Sequence, residues 1–326
     1  MLRNVLGRVA PRPGRQPPAT AADEGRVSVV VPLYNHAAFV AGAIQSALDQ
    51  GPVLREVIVV DDGSTDGSAD AARALCAQDA RIVLWSQPNR GAHAAINAGL
   101  LRATGDLIAV LNSDDAYEPG RLGALAAALD LSPEAGLAAS GLAFMDGTGA
   151  AVPNPWYDEA LAFYRGCGDL GTALVNGNFL MTTSNYVVRR EALDRVGLFA
   201  PLRYAHDLDF ALRLLLAGEG IALVPETLLR YRLHGGNTIK EDHAQVRLEW
   251  AMAAAAYLVG LLDRPEDQGP EVWTRAKAVL DVLDQHALGR AAHLCAAYLR
   301  RSPAATLERS PVLRDRAFRS FLLGCV

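Results

Sequence analysis

The chain has 326 residues, 21% of them charged and 51% hydrophobic, with a formal net charge of −5 and a pI near 5.8. That length predicts about two domains, or one large domain with an appendage, and the composition supports a sizeable core. The acidic balance argues against general nucleic-acid binding, which needs a basic surface, and no apolar run reaches the 18 or so residues of a membrane span.

Residues 1–25 differ in kind from the rest. Leu2, Val5, Leu6 and Val9 alternate with Arg3 and Arg8 before a Pro/Arg-rich stretch. Without the longer apolar core of a signal peptide, the segment is expected to be a disordered tail rather than a weak membrane-surface helix. The four cysteines, Cys76, Cys167, Cys295 and Cys325, form no CxxC pair. They suggest neither a disulfide framework nor a zinc site, and they suit a reducing cytoplasm.

Val27 to Val31 reads as the first strand, ended by Pro32, which cannot continue a central ladder. Val40, Ala43, Ile44, Ala47 and Leu48 then keep helical spacing. Val57 to Val60 is a second apolar strand, a helix runs from Ala69 to Ala77, and Ile82 to Trp85 is a third strand. Pro88 to Gly91 is a turn feeding a helix over Ala92 to Arg102. Leu107 to Leu111 is a fully apolar run, the pattern of a strand buried on both faces. A helix is expected around Pro119 to Leu129, a strand at Leu137 to Phe144, and irregular loop over residues 146–180. Strand Tyr186 to Val188 and helices Glu191 to Val196 and Leu208 to Ala217 follow, then strand Ile221 to Val224 and a second at Leu228 to Arg232. Alternating strands and helices with short connections imply a parallel sheet covered on both faces. Beyond residue 241 alanine dominates, and helices are expected at Val246 to Leu262, Glu271 to Gln285, Gly289 to Arg300 and Val312 to Leu323. The chain therefore divides into the tail, an α/β domain over 26–240 and a helical appendage over 241–326. The appendage carries no acid–base or metal constellation, so packing or docking, including self-association, is its default use.

No GxGxxG follows the first strand, and neither GxxxxGK[ST] nor GxSxG occurs, so a dinucleotide fold, a P-loop and a hydrolase elbow are disfavoured. Chemistry-bearing residues sit instead at strand ends, where open α/β sheets bind ligands. Asp114 and Asp115 close the apolar run with no cation beside them in sequence. They fit a divalent ion carrying a diphosphate, or equally a helix cap. Asp61 and Asp62 end the second strand, where a carboxylate can accept from a base or ribose; the Ser64-Thr65-Asp66 stretch caps well in any case. Arg90, in a turn before a helix, suits an anion site or plain solvation. Asp207 and Asp209 open an apolar helix, as caps or with one of them as a general base. His234 precedes two glycines, a structural histidine or a ligand beside a carboxylate and a diphosphate.

Taken together in order, Val29-Val30-Val31-Pro32-Leu33-Tyr34-Asn35, Val59 to Asp66, Asn89-Arg90-Gly91, Gly105-Asp106 through Asn112-Ser113-Asp114-Asp115, the Asp207 region and Tyr231-Arg232-Leu233-His234 resemble the family 2 glycosyltransferases over about residues 26–240. The resemblance implies a GT-A fold and an inverting transfer of a sugar from a nucleotide-diphospho-sugar, UDP foremost, to a hydroxyl. Pro32, Tyr34, Asn35, Asp61 and Asp62 would line the base and ribose pocket, with Arg90 holding the nucleotide. Asp114 would lie nearer the ribose and Asp115 would ligate Mn²⁺ or Mg²⁺, with His234 near the metal and diphosphate. Asp207 would be the base.

Two departures stand out: Asn112 replaces a frequent acid, and His206 replaces the acidic neighbour of the base, which bears on how Asp207 is tuned. Trp156, Tyr157, Phe163 and Tyr164 either stack on an acceptor sugar or form loop core. The resemblance implies a saccharide or lipid-linked saccharide acceptor, the latter placing the enzyme at the inner membrane face. Rival readings are a nucleotidyltransferase, which lacks its Gly-rich, Lys-bearing loop here, and a non-catalytic sugar-nucleotide scaffold.

Overall fold

A computed structural model describes residues 25–237, 241–263, 269–301 and 315–326. The expected tail, residues 1–24 of it, and the start of the last helix at Val312 lie outside the described residues. In chain order the first half contains β1 (Val27–Leu33), α1 (Val40–Leu48), β2 (Leu54–Asp61), α2 (Ser68–Cys76), β3 (Ile82–Ser86), α3 (Ala92–Leu100), β4 (Leu107–Val110), β5 (Ala116–Tyr117) and α4 (Arg121–Leu131). Next come β6 (Ala135–Asp146), β7 (Ala151–Val152), α5 (Pro155–Cys167), α6 (Leu170–Asn176), β8 (Val187–Arg189), α7 (Arg190–Val196), α8 (His206–Leu216) and β9 (Gly220–Leu233). The chain continues with α9 (His243–Leu262), α10 (Pro270–Gln285), α11 (Gly289–Leu299) and α12 (Arg316–Leu323).

One sheet runs in the order β3-β2-β1-β4-β8-β6-β9-β5, with β7 beside β6. The first four strands pair in parallel, as do β6 and β9, while β8 is antiparallel to both β4 and β6. Every residue of β1 and β4 is buried, which requires cover on both faces and explains their unbroken apolar runs. Because β1, β2 and β4 run in the same direction, the polar residues that follow each of them emerge at one edge of the sheet. That edge carries the site.

Pro32, expected to end β1, instead pairs with Val60 inside the strand. The Val30 carbonyl accepts from Leu111 N–H on the β4 side, and strand alternation turns the missing Pro32 donor the same way, beyond the last β4 pair at Val110. No ladder bond is lost there. Residues 146–180 are not irregular but hold α5 and α6. Asn154 caps α5 by accepting from Tyr157 N–H, Pro155 occupies its first turn, and Gly168 ends it with φ of 72°. Asp169 then caps α6. The two expected strands at 221–224 and 228–232 form the single β9, whose register against β6 shifts between Ser140 and Leu142, opposite Pro225 and Glu226.

Helices α9 to α12 do not stand apart. Their buried residues belong to the same apolar cluster as the sheet, from Val27 through Leu261 to Leu322. At Gly171 in α6 a Cβ would fall 2.1 Å from the Tyr257 hydroxyl of α9, so glycine is what lets these helices approach.

Candidate active site

A cleft of about 870 Å³ opens at the carboxyl edge of β1, β2 and β4. Pro32, Tyr34, Asn35, Asp62, Arg90, Asp114, Asp207 and His234 all line it, so most of the sequence-derived site meets in one place. Asp61 and Asp115 are not among the lining residues.

At the β1 end, Asn35 adopts the left-handed region (φ 53°), which asparagine tolerates. Its backbone donates to Ser64 Oγ at 3.1 Å and its side-chain oxygen accepts from Thr65 N–H at 2.9 Å, locking the β1 and β2 loops together. Asp62 accepts from Gln87 Nε2 (2.8 Å), from Arg90 N–H (3.0 Å to each oxygen) and from Gly91 N–H (2.8 Å). One carboxylate thereby shapes the turn that presents Arg90. Asp61 is spent inward, accepting from Ser64 N–H at 3.1 Å, and belongs to its own turn rather than the cleft.

Of the acidic pair, Asp114 lines the cleft and Asp115, expected as the direct metal ligand, does not. Asp114 Oδ2 lies 3.0 Å from His234 Nε2, and ligand atoms of His36, Asp114 and His234 all fall within 4.8 Å of one another. Asp115, at 2% exposure, accepts from Ser184 Oγ at 2.6 Å and from Arg232 N–H at 2.9 Å. Burial first, then the Asp114 charge, pushes its carboxyl well above the usual range. Asp115, just ahead of β5, thus ties Ser184 to β9 at Arg232, and Asp114 is the acid of the pair at the cleft. Burial also pushes His36 below its ordinary value, favouring the neutral imidazole that ligates metals, while its Nδ1 lies 2.9 Å from Ser113 Oγ. A carboxylate with two imidazoles is a mixed oxygen–nitrogen donor set able to hold a divalent ion. Asn112 offers no ligand here: its side chain is tied to Thr182 Oγ1 (2.9 Å) and Thr183 Oγ1 (3.2 Å).

Asp207 stands at the start of α8, 7% exposed. It accepts from Asn178 Nδ2 at 2.9 Å and from Leu208 N–H at 2.8 Å. Burial outweighs these bonds and pushes its carboxyl up to about 7, with Asp209 adding a little. Asp209 itself is paired with Arg213 at 2.8 Å and serves the helix, not the cleft. Burial, with His93 beside it, drives His206 down to about 4, so the residue standing in place of an acid is neutral at ordinary pH. The tuning placed in doubt by His206 thus comes from desolvation rather than from a second carboxylate.

The four aromatics do not reach the cleft among the described residues. Tyr157 is core, its hydroxyl accepting from Leu142 N–H at 3.2 Å, and Tyr164 stacks on Phe179 at 4.4 Å. Trp156 is half exposed and Phe163 packs against the core. What sequence reading missed is His36, His93, Asn178 and a rim made by Glu241, just ahead of α9, Glu249 of α9 and Arg319 of α12. Only His36 had a signal, its place directly after Tyr34-Asn35 at a strand end.

Residues 28–197 match the model of the family described as Glycosyl transferase family 2. An uncharacterized glycosyltransferase of Nostoc sp. is 32% identical over 221 residues, covering 65% of this chain and 66% of that one. The succinoglycan biosynthesis protein ExoU of Rhizobium meliloti is 35% identical over 244 residues, covering 71% and 68%. The chain thus spans about two thirds of the length of these relatives. Among solved structures, S. aureus TarS 1–349 in complex with UDP superposes with a TM-score of 0.59 at 18% identity, covering 80% of this chain and 71% of that one. The mannosyltransferase PcManGT of Pyrobaculum calidifontis, in complex with GDP-Man and Mn²⁺, gives 0.53 at 21%, covering 93% and 86%. These likenesses establish the GT-A fold.

Proposed function

The chain belongs to glycosyl transferase family 2, and on that premise we propose that its cleft moves a sugar from a nucleotide-diphospho-sugar, UDP foremost, to a saccharide hydroxyl with inversion. The observation carrying this reading is that an Asp–His–His cluster and a buried carboxylate with a raised pKa share one cleft at the carboxyl edge of the sheet. Pro32, Tyr34, Asn35 and Asp62 are the proposed walls of the base and ribose pocket, and Arg90 the cation for the diphosphate. Asp114 and His234, with His36, would hold Mn²⁺ or Mg²⁺. Such an ion supplies positive charge against the leaving nucleoside diphosphate.

Asp207 is the proposed base. Held by Asn178 and the Leu208 amide, it accepts the proton of the acceptor hydroxyl as that oxygen forms the new bond to the anomeric carbon and the nucleoside diphosphate departs with the electron pair. A carboxyl near 7 is a stronger base than an exposed one and is still substantially ionised at neutral pH. Neutral His206 adds no positive charge that would lower it.

The relative named for succinoglycan biosynthesis supports a place in polysaccharide or glycoconjugate synthesis, with a saccharide or lipid-linked saccharide as acceptor. Among the described residues no helix is long and apolar enough to cross a membrane. The test is a panel of UDP-glucose, UDP-galactose, UDP-N-acetylglucosamine and GDP-mannose with and without Mn²⁺, following nucleotide release, with the product anomer read by NMR. Metal-dependent release with inversion supports the proposal. Nucleotide protection against thermal unfolding without release from any donor would replace it with the scaffold reading.

A further inference from the structure

Glu249, on α9, is 2% exposed and lines the cleft. Its Oε1 accepts from Arg203 N–H at 3.1 Å, and its Oε2 from Tyr204 N–H at 2.7 Å and Ala205 N–H at 3.3 Å. Three consecutive amides converging on one carboxylate form an anion-binding nest, here filled by a side chain 44 residues on. Ala205 is the N-cap of α8 and has no side chain able to cap it; Glu249 instead holds the three residues that lead into the helix bearing Asp207. Arg319 of α12 stands 3.8 Å from Glu249 and donates to Gln245 at 3.1 Å, closing the cluster. The next residue, Trp250, donates from Nε1 to the Val175 carbonyl of α6 at 2.7 Å. Just past α6 lies Asn178, which holds the Asp207 carboxylate from the other side.

We infer that Glu249 is a positioning residue for sugar transfer, fixing the start of α8 and thereby the Asp207 carboxylate against the donor end of the cleft. The inference rests on the reading of Asp207 as the base. It makes the C-terminal helices part of the site rather than an attached module. A misplacement of about 1 Å at a reacting group can cost on the order of 10²-fold in rate.

The test uses the full chain, the fastest donor from the panel above with water as acceptor, and UDP with Mn²⁺ as the binding probe. Glu249→Gln keeps the shape but leaves a single oxygen for three amides. A fall in kcat of about 10- to 100-fold, with donor KM and UDP affinity within twofold of wild type, is the expected result. An unchanged kcat overturns the inference, and so does a parallel loss of kcat and UDP affinity, which would mark a merely structural role. Should Glu249→Gln not fold, Glu249→Asp decides: it keeps the charge but draws the carboxylate back by a methylene from the three amides. A fall in kcat of threefold or more with intact UDP binding supports positioning, and wild-type kcat refutes it. Asp207→Asn separates the two readings. If it turns over normally the base assignment fails, whereas an inactive Asp207→Asn beside a fully active Glu249→Gln ends only the present inference.

Discussion

Asp207→Asn should make the enzyme slower and the fold more stable at once. Loss of a general base lowers kcat by on the order of 10²–10⁴. The stability effect follows from the carboxyl's displacement from 3.8 to about 7, caused chiefly by burial. The folded chain holds that proton more tightly than the unfolded chain. The group's favourable contribution is therefore complete below pH 3.8 and is lost as pH rises through about 7. Asparagine has no such dependence, so the variant gains on wild type between pH 4 and 7 and keeps the gain above. At 1.36 kcal/mol per pH unit the displacement gives an upper bound of roughly 4 kcal/mol, less whatever water entering the cleft screens. Urea unfolding at pH 5, 6, 7 and 8.5, run beside donor hydrolysis on both chains, reads both effects. In the wild type, kcat/KM should rise with pH through a limb near 7. A variant that is equally active, or whose stability difference is the same at pH 5 and 8.5, refutes the assignment of a buried, raised base.

Exchanging the acidic pair one at a time separates their roles. Asp114→Asn should weaken Mn²⁺-dependent UDP binding by about tenfold or more, while Asp115→Asn keeps it within threefold; calorimetric titration showing the reverse would return the ion to Asp115. Asp62→Ala frees the amides of Arg90 and Gly91 and should reduce UDP affinity by about tenfold with the fold intact. Unaltered affinity in a fluorescence titration would remove that turn from the nucleotide site. Gly171→Ala drives a methyl to 2.1 Å from the Tyr257 hydroxyl and should cost about 1–3 kcal/mol in urea unfolding. A neutral result would mean that α6 and α9 are not in the close contact described.

The sheet's parallel half was legible because β1, β2 and β4 are buried on both faces, leaving apolar runs that admit little else. Helices α5 and α6 were hidden by the same residues that punctuate loops: Asn154, Pro155 and Gly168 are the cap, first turn and stop of α5, and Asp169 caps α6. Pro225 split β9 on paper, whereas in the fold it sits at a register shift. Most lining residues could be named because they directly follow strands. Which of Asp114 and Asp115 faces the cleft could not, since adjacent side chains at a strand end diverge and only the partners Ser184 and Arg232 decide the matter. Glu249 was invisible for a related reason. A glutamate in an alanine-rich helix carries no mark of the three amides it meets far back along the chain.

The carboxylate that steadies the lead-in to α8 arrives late in the chain. Synthesis proceeds from the amino end, and β1 through β9 leave the ribosome ahead of α9, so residues 203–205 meet Glu249 only when the C-terminal helices dock. Because α9 also shares the sheet's apolar cluster, a chain halted short of residue 249 would lack both that support and part of its core.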